Sequence, residues 1–592
     1  MFLRKLTIKK NGKKYDYWLL VKTYRDRKTK KVRQKTILHL GRLTPKEVNL
    51  AQSLLQAKKP HAFITTWQDI KLNQSVDFLT VGILNKIWSY WDFDKFLNEQ
   101  LAKGKESVSI ATVSQILAIN RAVSPRSDFK VQDWYKKTIL PVLLKTKADA
   151  INPTRIYRTL DAILTIEPIL QKYLYEKIKE KGLSEFDLIF YDITSTYFEG
   201  FGPSLAVRGY PRGYSNNKRQ ILLALAITKD GFPFYWRVLQ GNAVDVATVK
   251  ELVDYLTKTY EIKHSTLVLD RGMVSEENLK AIEDAKLYFI VTLDRSEIMS
   301  LPGLPLDCLS SLTEADLPNG LSHFTCYNDS TYYRELLVSG GRRYILCFNP
   351  EKFSEERWNR EEKLISIEEA LKKMNQELLK ARKRRCAKII GRRVDYYLRR
   401  RKAVKYFKYR IKPVRQVVNY KGRVREVLTY QIEFERNLER IKRESLLDGV
   451  YVIASNLLVR DERGNLLVSA LDLVTGYRQR LRIEQTFHHI KSFVDIRPIY
   501  HRRDERVCSH VLFCVLGYLL NVTVEYLLKK AGIKDMTVRE LYGELSGFDA
   551  AEIEIKNMGM RGYKIPKATP WIERVARILL SEDLISKEDL AV

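Results

Sequence analysis

Tyr477, Arg480, Glu484 and Lys491, near the C-terminal end of this 592-residue chain, stand at offsets of 0, 3, 7 and 14. At roughly 100° per residue, those offsets predict one stripe of one helix, within an arc of about 60°. Ile483, Phe487 and Ile490 fall on an adjoining face suited to packing on a core. A carboxylate flanked by a phenol, a guanidinium and an ammonium could hold a metal ion at its centre and a polyanion along its length.

One carboxylate is a poor metal site, so partners must come from elsewhere in the chain. The stretch from Phe186 to Leu293 reads as β-β-β-α-β-α-β. The first strand, Phe186 to Thr194, carries Asp192, and a glycine-rich loop follows at 208–215. Strands from Gln220 to Thr228 and from Phe232 to Leu239 are joined by Lys229-Asp230-Gly231, a hairpin turn. A helix is expected over Val246–Tyr260, a buried strand from Ser265 ends on Asp270, a helix spans Glu276–Asp284, and Leu287–Leu293 is the last strand. This is the order of the ribonuclease-H-like fold, in which the first and fourth strands are neighbours. Asp192 and Asp270 would then lie side by side, with Glu484 as the third acid. Three clustered carboxylates are costly without a counter-ion, and their hard oxygens suit Mg²⁺ or Mn²⁺. Two such ions activate a water or a 3′-hydroxyl and stabilise the leaving oxygen of a phosphodiester. Arg480 and Lys491 would grip the phosphates on either side.

The remaining chain supplies context for that chemistry. Lys and Arg outnumber Asp and Glu by 103 to 71, a net charge of +32, for which nucleic acid is the commonest partner. A length of 592 residues implies several cores, and 45% hydrophobic content implies folded ones. Charge interrupts the N-terminal ten residues too often for a signal peptide, and the apolar run Val511–Leu520 is too short to span a bilayer. Six cysteines without a C-x-x-C pair fit a reduced cytoplasmic protein.

The fold class expected is α/β: a ribonuclease-H-like mixed-sheet core interrupted by a large α+β insertion, preceded by a β module and a helical region. Residues 1–45 are read as a small basic β module and 46–183 as a helical region, a candidate for DNA-end binding. Residues 184–300 are the first part of the core, 301–447 a basic insertion, 448–535 the second part of the core, and 536–592 a helical tail. A strand at Gly449–Ser455 returns the chain to the core, and the Glu484 helix follows, capped by Thr475. Between 380 and 425 there are 20 Lys and Arg but one acid, Asp395, interleaved with tyrosines. That composition marks Arg392, Arg393, Arg399, Arg400, Arg401 and Lys402 as DNA-backbone contacts.

Tyr477-x-x-Arg480-x-x-x-Glu484-x-x-x-x-x-x-Lys491 resembles, position for position, the Y-R-E-K signature of bacterial insertion-sequence transposases of the DDE type. Asp192 in Phe-Tyr-Asp-Ile-Thr and Asp270 in Val-Leu-Asp-Arg-Gly resemble that family's first and second acids. Gly213-Tyr-Ser-Asn-Asn, Asp230-Gly-Phe-Pro and His501-x-x-x-x-Arg506-x-x-x-His510 are similar too. The resemblance implies that Asp192, Asp270 and Glu484 bind two metal ions. It also implies that Tyr477, Arg480 and Lys491 hold the terminal phosphates and help to place a flipped base, with a hairpin intermediate in cut-and-paste transposition. Double-stranded DNA, as terminal inverted repeats and target, is the implied partner, with a dimer in the DNA complex, in the cytoplasm at the nucleoid.

Blander readings stand beside these. Asp245, Glu199, Glu276 and Glu277 are rival carboxylates read as helix-end or surface groups. His488 is read as a surface imidazole, and Cys508, His510 and Cys514 as core rather than zinc ligands. A nuclease without strand transfer and a non-catalytic DNA-binding derivative are the alternative functions.

Overall fold

The computed structural model of the chain describes residues 1–26, 31–56, 67–101, 108–198, 201–209, 218–312, 319–328, 330–420, 422–497, 499–556 and 560–580. Most of the glycine-rich loop at 208–215, the Gly213-Tyr-Ser-Asn-Asn motif and Glu199 lie outside the described residues. Two compact units are present: residues 1–86 with 132–148 and 540–592, and residues 87–131 with 149–539.

In the first unit, β1 (Phe2–Lys10), β2 (Lys13–Arg25) and β3 (Val32–Gly41) form an antiparallel sheet. Asn11 and Gly12 join the first two strands, both at positive φ, the backbone a two-residue type I′ turn needs. Helix α1 (Pro45–Gln56) opens on a reciprocal pair, Thr44 N–H to Glu47 Oε2 at 2.7 Å and Glu47 N–H to Thr44 Oγ1 at 3.3 Å. The expected all-helical region contains a strand, β4 (Ile70–Asp77). Ile70, Leu72 and Val76 follow the period of two that suits a strand, and the partner that fixes it lies far along the chain.

The second unit is built on a nine-stranded sheet. Its strands are β5 (Leu188–Tyr197), β6 (Gln220–Thr228), β7 (Pro233–Gln240), β8 (Thr266–Leu269) and β9 (Tyr288–Thr292), then β10 (Thr325–Asn328), β11 (Thr331–Ser339), β12 (Arg342–Phe348) and β15 (Val450–Ser455). The spatial order is β10-β11-β12-β15-β9-β8-β5-β6-β7. Strands β5, β8 and β9 are parallel and the other pairings antiparallel, so β5 to β9 form the expected ribonuclease-H-like core. Every residue of β6 is buried, which explains its unbroken apolar run. Helices α2 (Val246–Asp254) and α3 (Glu276–Asp284) provide the crossovers.

Residues 325–348 correct the expected start of the insertion at 301, because β10 to β12 extend the central sheet through β15. What projects is α4 (Pro350–Leu379), α5 (Ala387–Arg400) and the hairpin of β13 (Phe407–Tyr420) and β14 (Arg423–Arg436). These share a core of their own around Leu364, Ile367, Leu371, Val394, Leu398 and Ile432. After β15 come α6 (Ala470–Arg478), α7 (Leu481–Ser492) and α8 (Asp504–Lys530). Helix α8 is long and apolar enough to cross a membrane, but 83% of its apolar window is buried within the protein, as in a core helix. The expected helical tail is also corrected. In the first unit, β16 (Asp549–Ile555) pairs with β17 (Met560–Lys564) and with β4.

Candidate active site

The parallel register of β5 on β8 aligns Tyr191 with Leu269. Asp192 therefore stands beside Asp270, which lies just past the C-terminal end of β8. A strand that stops at residue 269 frees the next side chain from the ladder, so Asp270 is half-buried rather than enclosed. The Asp192 Oδ1 accepts the Ile193 N–H at 2.7 Å.

The third acid arrives on α7, which the Y-R-E-K stripe reaches in two pieces rather than on one helix. Tyr477 lies in the last turn of α6, Arg480 stands at the N-cap position of α7 without a side-chain capping bond, and Glu484 and Lys491 lie on α7 itself. The junction tightens to i→i−3 hydrogen bonds, Arg480 N–H to the Tyr477 carbonyl and Ile483 N–H to the Arg480 carbonyl, both 3.0 Å. Thr475 is not the cap. Ser469 opens α6 with a capping box to Asp472, and Thr475 lies inside the helix. Gly476 lets α6 sit close on the sheet, since a Cβ there would come 3.0 Å from Ile290 Cδ1.

Arg480 is the centre of the arrangement. Its guanidinium donates to Asp270 Oδ1 and lies 3.0 Å from Glu484 Oε1. Burial opposes its charge, but Tyr477, Asp270, Glu484 and Asp192 outweigh burial and raise its pKa. The ring of Tyr477 lies 5.4 Å from the guanidinium, and its hydroxyl is 3.2 Å from Thr292 Oγ1 at the end of β9. Tyr477 is thus anchored to the sheet. Lys491 is half-buried at the far end of α7.

The opposite side of α7 is held by residues that the sequence did not single out. Arg482 donates to the Asp230 carbonyl at 3.1 Å and sits against the β6–β7 turn. Gly231 is required there: its φ is +94°, and a Cβ would fall 2.5 Å from Arg482 Nε. Thr486 and Tyr518 hydroxyls meet at 2.8 Å, and Tyr518 donates to the Gly231 carbonyl at 3.0 Å. His489 faces Asn521 at 3.1 Å, and burial together with Arg482 and Arg539 lowers its pKa to about 4, so it is neutral. Two residues along a helix are roughly 200° apart, so Arg482 fixes α7 from behind while Glu484 faces out.

Asp245, set aside as a helix-start residue, is nearer the site than expected. Its carboxylate is 3.5 Å from where a Cβ on Gly272 would be, two residues past Asp270. Glu276 is instead taken up by Arg342, and Glu277 by Lys250. His488 is exposed, whereas His510 and Cys514 are buried. His501 pairs with Asp128 at 3.2 Å. Arg392, Arg393, Arg399 and Arg400 are exposed on α5, and Arg401 and Lys402 are exposed just beyond it.

Among the described residues no three His, Cys, Asp or Glu side chains converge closely enough to hold a metal ion as they stand. The donor chemistry nevertheless fits one. Asp270 and Glu484 already share a cation in the Arg480 guanidinium, and all three acids present oxygen, the ligand that Mg²⁺ and Mn²⁺ take.

Sequence comparison shows the family. Residues 187–520 match the transposase DDE domain, and residues 3–64 match the IS1634 family transposase N-terminal domain. The first match spans more than half of the chain, which therefore belongs to the DDE transposase family, enzymes of metal-dependent DNA cleavage and strand transfer. No curated protein sequence matches. Among solved structures the chain is similar to the piggyBac transposase in a synaptic complex with hairpin DNA, at 10% identity and a TM-score of 0.32 over 84% of each chain. A Mos1 transposase paired-end complex matches at 11% identity and a TM-score of 0.14 over 32% of this chain and 60% of the other.

Proposed function

We propose that Asp192, Asp270 and Glu484 are the acids that hold two Mg²⁺ or Mn²⁺ ions, and that the protein cuts and rejoins the ends of its own insertion sequence by a cut-and-paste route. The observation that carries this reading is the shared guanidinium: Arg480 ties Asp270 to Glu484 beside Asp192. Divalent ions bound there supply activation of a water or 3′-hydroxyl and stabilisation of the leaving oxygen. Arg480, released from the carboxylates, and Lys491 grip the phosphates flanking the scissile bond, and Tyr477 orients the arginine from its anchor on β9. Arg392, Arg393, Arg399, Arg400, Arg401 and Lys402 hold the DNA backbone further out. Residues 184–348 and 448–535 act as the two parts of the core, and the basic insertion between them as a DNA clamp. The substrate is double-stranded DNA, terminal inverted repeats and target, engaged by a dimer on nucleoid DNA in the cytoplasm. Joining two ends requires two copies.

Single substitutions Asp192→Ala, Asp270→Ala and Glu484→Ala should abolish Mg²⁺-dependent cleavage while binding to the terminal repeat persists. Retained cutting by all three would overturn the assignment. Incubating a pre-cut end with target DNA separates strand transfer from simple hydrolysis.

A further inference from the structure

Three pairs of lysines face each other directly across the N-terminal sheet: Lys9 opposite Lys14, Lys10 opposite Lys13, and Lys22 opposite Lys35. Like charges in that position repel and destabilise a sheet. Among the described residues Lys9, Lys14, Lys22 and Lys35 are in no ion pair, and the one carboxylate that feels their charge, Asp16 beside Lys14, is already bonded to Lys5.

Parity places the Lys9–Lys14 and Lys22–Lys35 pairs on one face and the Lys10–Lys13 pair on the other. Leu19 and Val21 of β2 are buried, so the odd-numbered side of that strand is the covered one. On the even-numbered side Lys14, Asp16, Lys22 and Tyr24 are exposed and Trp18 and Leu20 half-buried. Register adds Lys5, Thr7 and Lys9 from β1, and Arg33, Lys35 and Leu38 from β3, to the same face. Its acids are matched locally: Asp16 lies 2.8 Å from Lys5 and 2.7 Å from Thr7, with its carboxyl held below the usual range chiefly by Lys5, and Asp26, just past β2, lies 3.4 Å from Arg33. The face is therefore an apolar and aromatic centre, Trp18, Leu20 and Leu38, with a facing lysine pair at each end.

We infer that this open face of β1–β3 lies in the major groove of double-stranded DNA. The outer strands are roughly 10 Å apart, against a groove about 12 Å wide. Lys14 and Lys22 are eight residues apart along β2, or about 27 Å, which covers roughly eight base-pair steps. The lysine pairs take phosphates at the two ends, and the apolar centre meets base edges and thymine methyl groups. A-form RNA, with its deep and narrow major groove, does not admit the sheet. The inference rests on the transposase reading for the identity of the DNA, the element's own terminal repeat, and moves end recognition from the helical region to the sheet.

The test uses the full-length protein and a fluorescein-labelled duplex carrying the terminal repeat. Lys14→Gln/Lys22→Gln should weaken binding on the order of 10-fold and reduce the slope of log K against log salt by about 1.8. Arg4→Gln/Arg25→Gln, which removes the same charge from the other face, should leave the slope near that of the parent. The lysine variant should melt no lower than the parent, because its repulsion is relieved. Equal losses in both variants, no loss in the lysine variant, or equally tight binding to duplex RNA of the same length would overturn the inference. Failure of the transposase reading shows separately, as a parent protein that binds but never cleaves.

Discussion

Helices α5 and α7 both present arginine at the surface, and they differ in what stands beside it. Arg480 at the start of α7 has Asp270 and Glu484 within 3.0 Å. On α5, Arg392, Arg399 and Arg400 are in no ion pair among the described residues, and the only acid of that helix, Asp395, accepts the Tyr409 hydroxyl at 2.6 Å. A cation matched by carboxylates spends its field locally and marks a place that another cation can take. An unmatched cation keeps its field in the solvent, where a polyanion can meet it. On the proposed function, chemistry belongs to α7 and grip to α5.

The largest effect expected of that division is a clean exchange of phenotypes. Glu484→Gln should lower the cleavage rate on the order of 10³-fold, as the loss of a transition-state electrostatic contact does, with end binding little changed. Arg392→Gln/Arg399→Gln/Arg400→Gln should do the reverse. At about 1 kcal/mol per charged contact, affinity falls on the order of 100-fold and the salt slope by about 2.7, while single-turnover cleavage at saturating protein holds. Anisotropy titrations and quench-flow cleavage on the same preparations check both halves. A triple variant that cleaves slowly even when saturated would show that α5 reaches the chemistry.

Much of the catalytic half was legible because its signals are local. Strand β6 was bounded by its apolar run, the Asp230–Gly231 turn by its residue types, and Asp192 and Asp270 by the order of strands that makes β5 and β8 neighbours. What escaped depends on distant partners. Strand β4 is set by β16, more than 470 residues away along the chain, and the short alternation of Ile70, Leu72 and Val76 is too weak a signal to announce it alone. The break between α6 and α7 escaped because Gln479 and Arg480 keep helical backbone angles, so the periodicity survives while the hydrogen bonds shorten. Arg482 escaped because the pattern shows a charged residue beside Glu484 but not the glycine turn that it covers.

The rule drawn from the two helices, that charge persists where either water or a counter-ion reaches it, is sharpened by a carboxylate that is largely withdrawn from water and, among the described residues, in no ion pair. Glu167 accepts the Trp236 indole N–H at 2.6 Å, and burial raises its pKa from 4.5 to about 7 against the smaller opposing pulls of Trp236 and Arg237. A raised folded-state value means that its stabilising contribution is complete below about pH 4.5 and is lost as pH rises through about 7. The loss is at most on the order of 3 kcal/mol. Glu167→Gln should therefore raise the apparent Tm at pH 8 and flatten its decline between pH 5 and 8. A variant with the parent's pH profile would mean that Glu167 is charged throughout.

The smallest effect returns to Arg480 and tests the comparison at its origin. If the guanidinium stands where a metal ion binds, the two compete for Asp270 and Glu484. Removing it should then help the ion in the absence of DNA. Arg480→Ala leaves both carboxylates without that counter-charge and should tighten Mn²⁺ binding about fivefold, the equivalent of about 1 kcal/mol for the displaced charged hydrogen bond. Calorimetry on the DNA-free protein reads this independently of activity, with Arg480→Lys expected between the parent and the alanine variant because an ammonium cannot span both acids as a planar fork does. Weaker Mn²⁺ binding in Arg480→Ala would instead show that the arginine assembles the acids for the metal. The balanced charge on α7 would then be scaffolding for the site rather than its placeholder.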